Sequence, residues 1–448
     1  MLKARASRRS VVKLLACCSA LASILAAPLP ASAQGAAKPT WTGAWGFSAL
    51  PTPIFTPPID LTVPLGETLP AQRAISPLVL NPLGLPVDLT ATGDLSNVTV
   101  RQTVRVAAGG KRLRLRLSNE AGRLAMPIGA VRVGLAGPGG QTVRSVPVTF
   151  GGRTDVVVPI SAPLLSDPID LPTQALDQVN VSIYLPRAVE RVGHQTFQYL
   201  AGQPGDFTEA SSLPSAKLAR APGIVTGVEV ETPGPVNVVV TLGDSITEGV
   251  GATALAFRGW PDKLAERLIA ARANWSVVNA GISGNRLLRN GAGPNALARF
   301  DRDVLSVPGV SAVIVLEGIN DIGRGSNPVN AEPVTTEALI SAQRQLIARA
   351  HARGIRVIGA TLTPYKGANY YSEGGEAQRQ AYNQWIRTSG EFDGVIDFAK
   401  PLSDATDSLT LDARYNDRDK LHPNDAGYEA MGAFIDPAVI NQAPAKRP

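Results

Sequence analysis

Between residues 97 and 186, apolar and polar positions alternate with a period of two. The pattern runs through NVTVRQTVRVA, KRLRLRLSN, GAVRVGLAG, VRSVPVTFGG, TDVVVPI and DQVNVSIYLP. Such alternation puts successive side chains on opposite faces of a strand, one face buried and one wet. Turn-forming stretches such as AGGK and GPGG separate the runs, and no helix-period segment interrupts them. Six or more short strands at this spacing predict an all-β, sandwich-like accessory domain over residues 96–232.

The pattern changes near ETPGPVN, residues 231–237. Continuous apolar runs follow: NVVVTL, WSVVNA, SAVIVL, IRVIGATL and GVIDFA. Segments with helical spacing lie between them. Trp260, Leu264 and Leu268 form one stripe. Leu339, Gln343, Leu346 and Ala350 form a second, stopped by Gly354, and Ala381 and Trp385 mark a third. Apolar strands alternating with helices predict a parallel sheet covered on both faces, here over residues 236–440. In such sheets, sites form beyond the carboxyl ends of the strands.

The beginning of the chain has a different texture. Residues 34–95 are Pro-rich and read as an extended lead-in with a few short strands. Residues 1–33 read as an export signal: a basic start, an apolar segment from Leu14 to Leu29, then Ala31-Ser32-Ala33 as the cleavage site. The paired Arg8 and Arg9 resemble a twin-arginine signal. LLAC before Cys17 also fits a lipoprotein signal, though with a very short apolar stretch ahead of the cysteine. Export predicts a periplasmic or extracellular protein.

Charge and cysteine content change meaning once that segment is set aside. Five of the 43 basic residues and no acidic ones fall in residues 1–33, leaving 38 basic against 37 acidic residues. The near-neutral remainder gives no electrostatic case for nucleic acid. Both cysteines, Cys17 and Cys18, also lie there, so the remainder offers no disulfide or thiol chemistry. The three histidines are scattered without metal-binding spacing, and no second apolar run is long enough to span a bilayer.

The candidate chemistry begins with VTLGDSITEGVGA, where the first apolar run hands over to a helix. Asp244 and Ser245 could simply cap that helix. A serine used as a nucleophile needs a base, and the base an orienting acid. Near the other end, RDKLHPNDAGYEAMG places Asp419 three residues before His422, so that one tight turn can bring the carboxylate to Nδ1 and leave Nε2 for the serine. Otherwise His422 is a surface residue near the next helix start. Acyl transfer also needs hydrogen-bond donors for a developing oxyanion. NAGISGNRLL, after the second strand, offers the Gly284 N–H, and LEGINDIG, after the third, offers the Asn320 amide. Each of these is by itself an ordinary turn or loop residue.

The four blocks GDSIT, GISGN, GIND and DKLHP, in that order, resemble those of the SGNH hydrolases, the GDSL-motif esterases and lipases, over about residues 236–437. The resemblance implies Ser245 as nucleophile, His422 as base and Asp419 as its orienting acid. It implies Ser245, Gly284 and Asn320 as the oxyanion hole. It also implies a three-layer α/β/α, flavodoxin-like domain around a five-stranded parallel sheet, with no metal or cofactor. Isoleucine at position 246 stands where the motif has leucine. Thr247 stands where an α/β-hydrolase elbow would have its second glycine.

TWTGAWG and RGWPDKLAERL further resemble secreted acyl-hydrolases found beside xylan-degrading enzymes. This favours deacetylation of a decorated polysaccharide such as acetylxylan. The alternatives are a general arylesterase, lipase or lysophospholipase, and a non-catalytic carbohydrate-binding protein. Trp41, Trp45, Phe197 and Tyr199 could stack on sugars or serve as core aromatics. Tyr365, Tyr370 and Tyr371 are candidate substrate contacts, and His194 reads as structural.

Overall fold

In the computed structural model, the five apolar runs after residue 236 pair as one parallel sheet. Strand β1 (Asn237–Gly243) is followed by α1 (Ser245–Glu248) and α2 (Trp260–Ala270). Strand β2 (Trp275–Gly281) leads to α3 (Ala296–Phe300) and a π-helical turn, Asp301–Leu305. Then come β3 (Val310–Leu316), α4 (Ile319–Gly325), α5 (Thr336–His351), β4 (Arg356–Ala360) and α6 (Glu373–Thr388). Strand β5 (Gly394–Ile396), α7 (Ala399–Leu402) and α8 (Asp425–Phe434) complete the part that carries the site. The strand order is β2-β1-β3-β4-β5, all parallel. This is the flavodoxin-like order, with its topological switch at β1. The described residues are 38–49, 95–190, 193–325 and 332–441. The expected export signal, both cysteines and most of the Pro-rich lead-in lie outside them.

The sheet's faces are covered as the apolar spacing requires. Trp260, Leu264 and Leu268 of α2 are fully buried, as are Leu339, Leu346 and Ala350 of α5. The stripe on α6 is one position away from the expected one. Tyr382 and Ile386 are buried, whereas Ala381 is exposed and Trp385 half-buried. The cause is polar residues on the inner face: Arg379 and Asn383 are buried there, both donating to the Leu362 carbonyl at 2.8 Å. A reading of apolar residues alone cannot place a face that contains an arginine and an asparagine.

The preceding region is antiparallel throughout. A four-stranded sheet runs Thr40–Gly46, Val225–Thr232, Leu113–Ser118, Pro163–Leu165. A six-stranded sheet is centred on Val98–Arg105 and Gln178–Leu185. Leu113, Leu115 and Leu117 of the first sheet share one core with Val179, Val181 and Ile183 of the second. Strand Thr40–Gly46 comes from the lead-in and pairs with Val225–Thr232.

From Pro39 onward the chain clusters as one compact unit. The Gly43 N–H donates to the Pro308 carbonyl at 2.9 Å, tying the first β strand to the loop before β3. Arg105 reaches across to Glu266 at 2.7 Å and Asp262 at 3.2 Å, both on α2. With such links, heating should give a single unfolding transition with equal calorimetric and van't Hoff enthalpies. Arg105→Ala should lower the midpoint of that transition without splitting it, at a cost of roughly 1–3 kcal/mol for its charged hydrogen bonds. Differential scanning calorimetry of both proteins checks this.

Candidate active site

Strand β1 ends at Gly243, where a side chain would not fit: a Cβ there would lie 2.2 Å from Thr247 Oγ1 and 2.5 Å from the Leu316 carbonyl. Asp244 then caps α1, its Oδ1 accepting from the Ile246 N–H at 2.9 Å. This cap fixes Ser245 as the first residue of the helix, only 4% exposed.

The turn before α8 brings the other two groups. Asp419 Oδ1 accepts from the Leu421 and His422 N–H groups, each at 2.9 Å. Its Oδ2 lies 2.5 Å from His422 Nδ1. His422 Nε2 lies 2.8 Å from Ser245 Oγ. The carboxylate is an acceptor, so Nδ1 carries the hydrogen and Nε2 faces the hydroxyl with a lone pair. Burial pushes the Asp419 carboxyl up. The hydrogen bond and charge of His422, with the two amides, outweigh this and hold it below the usual carboxylate range. Arg418 and Lys420, on either side, have left-handed φ values of 72° and 61°. Such strain in residues other than glycine gathers at sites where a side chain must be aimed.

Gly284 follows β2 in a turn with φ of 74°, where a Cβ would sit 3.1 Å from that of Ala292. Its N–H has no hydrogen-bond partner among the described residues. Asn320, after β3, donates from Nδ2 to the Asn285 carbonyl at 3.0 Å and keeps a second amide hydrogen. The loops are cross-linked beneath: Asp321 accepts from the Leu287 and Leu288 N–H groups at 2.7 and 3.0 Å. The switch point thus collects Ser245, Gly284 and Asn320 at the carboxyl ends of β1, β2 and β3.

Several residues of the site carried no signal in the sequence. Arg299 is fully buried and donates to the Gly243 carbonyl at 2.9 Å, the Ala280 carbonyl at 2.6 Å and Asn285 Oδ1 at 2.9 Å. It also pairs with Asp303 at 3.1 Å and lies 3.7 Å from Glu317. The buried carboxyl groups around it exceed what one guanidinium neutralises. Burial first, with neighbouring carboxylates adding, raises Asp244 to about 7 and Glu317 well above the usual range. Burial also raises Asp321 to about 6. Only their places beside the GDSIT and GIND blocks hinted at these acids.

Of the three candidate tyrosines, Tyr365 is fully buried and unavailable to a substrate. Tyr370 is half-buried, with its hydroxyl 3.4 Å from Asn320 Oδ1. The candidate sugar-stacking aromatics pack largely on their own region. Trp41 lies under Arg114 at 4.3 Å, Trp45 stacks near Phe47 at 6.2 Å, and Phe197 lies under Arg220 at 5.4 Å. Among the described residues, no cluster of three or more His, Cys, Asp or Glu side chains is placed to hold a metal. No described helix is long and apolar enough to cross a membrane.

The raised carboxyls set a pH dependence of stability. A carboxyl whose folded pKa exceeds its unfolded value of about 4 favours the native state fully below that value. The benefit is lost as pH climbs through the folded value. The protein should therefore resist urea less at pH 8 than at pH 5. Glu317→Gln, which carries no charge to bury, should shrink that drop measurably. Urea titrations of both proteins at the two pH values test this.

Residues 241–430 match the GDSL-like lipase/acylhydrolase family. Among solved structures, the chain is similar to a G-D-S-L family protein from Desulfitobacterium hafniense, at 23% identity over 46% of this chain and 99% of the other, with a TM-score of 0.35. It is similar to a GDSL-like lipase from Bacteroides thetaiotaomicron, at 20% identity over 46% and 88% of the two chains, TM-score 0.35. A variant of an acetyl xylan esterase from Geobacillus stearothermophilus shares 22% identity over 45% and 93%, TM-score 0.37. No curated protein matches the chain. By that match, residues 241–430 form a domain similar to the GDSL-like lipase/acylhydrolases, of SGNH type, and the protein is a carboxylic ester hydrolase.

Proposed function

We propose that Ser245 is the nucleophile of this esterase, His422 its base and Asp419 the acid that orients the base. The observation that carries the reading is the continuous chain from Asp419 Oδ2 through the imidazole to Ser245 Oγ, with steps of 2.5 and 2.8 Å. As Oγ attacks the ester carbonyl, its proton passes to Nε2. The imidazolium that forms is held by the Asp419 carboxylate. The Ser245 and Gly284 N–H groups and the free hydrogen of the Asn320 amide receive the tetrahedral oxyanion. The Nε2 proton then goes to the departing alkoxide as the carbon–oxygen bond breaks, leaving an acyl-serine. Water, deprotonated by the same nitrogen, attacks it. Collapse returns the proton to Oγ and releases the acid.

The substrate we propose is a short-chain ester, an acetyl group on a decorated polysaccharide such as acetylxylan, met outside the cytoplasm after export. Crowding supports the short acyl group. Ser245 is 4% exposed. The Tyr370 ring packs so closely on Gly323 that a Cβ there would lie 2.2 Å from it. The alcohol half and the export rest on the sequence: TWTGAWG and RGWPDKLAERL, and the basic, apolar and small-residue order of residues 1–33.

Ser245→Ala should lower kcat on p-nitrophenyl acetate by about 10⁴-fold or more. Asn320→Ala should lower it by about 10²–10³-fold. Equal rates for wild type and Ser245→Ala would sink the mechanism. Across p-nitrophenyl esters from acetyl to dodecanoyl, kcat/KM should be greatest for acetyl and fall with chain length, with acetate released from acetylated xylan. A maximum at eight carbons or longer would instead assign a lipase.

A further inference from the structure

The antiparallel region reaches the site through a buried histidine. His194, whose side chain is 5% exposed, stacks on Phe47 at 4.0 Å with the rings 13° from parallel. Its Nδ1 lies 2.8 Å from the Ser48 carbonyl, which can only accept, so Nδ1 donates. Its Nε2 lies 3.2 Å from Glu248 Oε2, an ion-pair contact that lacks hydrogen-bond geometry. That same oxygen accepts from the Ser283 N–H at 2.5 Å.

The position of Glu248 matters. It is the last residue of α1, the helix that Ser245 begins. Ser283 immediately precedes Gly284. One carboxylate therefore ties the helix that carries Ser245 to the turn that carries Gly284. The two segments are also in direct contact: a Cβ on Gly281 would lie 2.2 Å from the Glu248 nitrogen, and Asn279 Nδ2 donates to the Thr247 carbonyl at 2.9 Å. Burial pushes the Glu248 carboxyl up, but His194, Arg220 and the Ser283 amide together hold it below the usual range. It is thus an anion at neutral pH, a stronger acceptor for the Ser283 amide than a neutral group. His194 and Arg220 both belong to the antiparallel region.

We propose that His194 and Glu248 are positioning residues for the oxyanion hole: His194 holds Glu248, and Glu248 holds the Ser283–Gly284 segment so that the Gly284 N–H stays free for substrate. This rests on the reading of Ser245 and Gly284 given above. Neither side chain contacts the reacting atoms. A donor displaced by a fraction of an ångström stabilises the transition state less while ground-state binding changes little. On this view the antiparallel sheets are part of the catalytic unit.

The test uses the full chain with p-nitrophenyl acetate. Glu248→Ala should lower kcat by about 10²-fold, the size of losing one oxyanion donor, with KM within about threefold. Glu248→Gln keeps an acceptor for the Ser283 N–H and should recover at least about tenfold of that loss. His194→Ala should lower kcat by about tenfold and add nothing further in the Glu248→Ala background, as residues acting in one chain do. Should Glu248→Ala fail to fold, His194→Ala against His194→Gln gives the same comparison, loss in the first and recovery in the second.

Folded His194 and Glu248 variants with wild-type kcat, or with KM rising as much as kcat falls, would overturn the proposal. Ser245→Ala separates the two levels. If it is inactive while those variants keep wild-type kcat, only the positioning role fails. If it retains activity, the reading of the site fails first.

Discussion

The site depends on one buried guanidinium. Arg299 binds the carbonyl that ends β1, the carbonyl of Ala280 at the end of β2 and the side chain of Asn285 in the turn beyond. It also reaches Glu317 after β3 and Ser48 from the antiparallel region. A guanidinium can do this because its five donors lie fixed in one plane, whereas a lysine presents a single compact head. Three strand ends and the neighbouring region thus share one cation, and the relative places of Ser245, Gly284 and Asn320 follow from it.

That arrangement has an electrostatic consequence. A lone buried cation would be costly, and Asp303 pairs with it directly. Asp244, Glu317 and Asp321 then add more carboxyl groups than the cation can balance. Burial leaves them with raised affinity for protons. With Asp244 raised to about 7 and Asp321 to about 6, the layer under Ser245 comes close to neutral as pH falls below about 6. Asp419, by contrast, is partly exposed and kept ionised by His422 and two amides. Environment separates two kinds of carboxyl group, one holding protons under the serine and one charged beside the imidazole.

The antiparallel region meets this layer through Phe47, Ser48 and His194. The Ser48 hydroxyl accepts from Arg299 at 3.3 Å while its carbonyl faces His194 at 2.8 Å. One residue thus touches both the guanidinium under β1 and the histidine beside Glu248. A region composed only of stacked antiparallel sheets would not need such a buried polar joint.

How much of this was legible in the sequence varies with the kind of information involved. The five parallel strands were readable because each is a continuous apolar run, and the antiparallel strands because polar and apolar residues alternate, although in the two central strands the polar positions Thr99, Arg101, Asn180 and Ser182 are buried rather than wet. The placement of Ser245, Gly284, Asn320 and the Asp419–His422 pair in turns at the strand ends was readable because turns keep their geometry local: a cap, a left-handed glycine, a three-residue spacing. The buried face of α6 was not, because Arg379 and Asn383 are satisfied by the Leu362 carbonyl and so tolerate burial. Arg299, Glu317 and Glu248 were equally hidden, and His194 was read as structural but without its partners. A charged residue looks solvated in sequence, and only contacts between distant segments make its burial affordable. Spacing along the chain determined the elements and the candidate chemistry; the partners that bury charge beneath that chemistry, being remote in sequence, were decided by the tertiary structure alone.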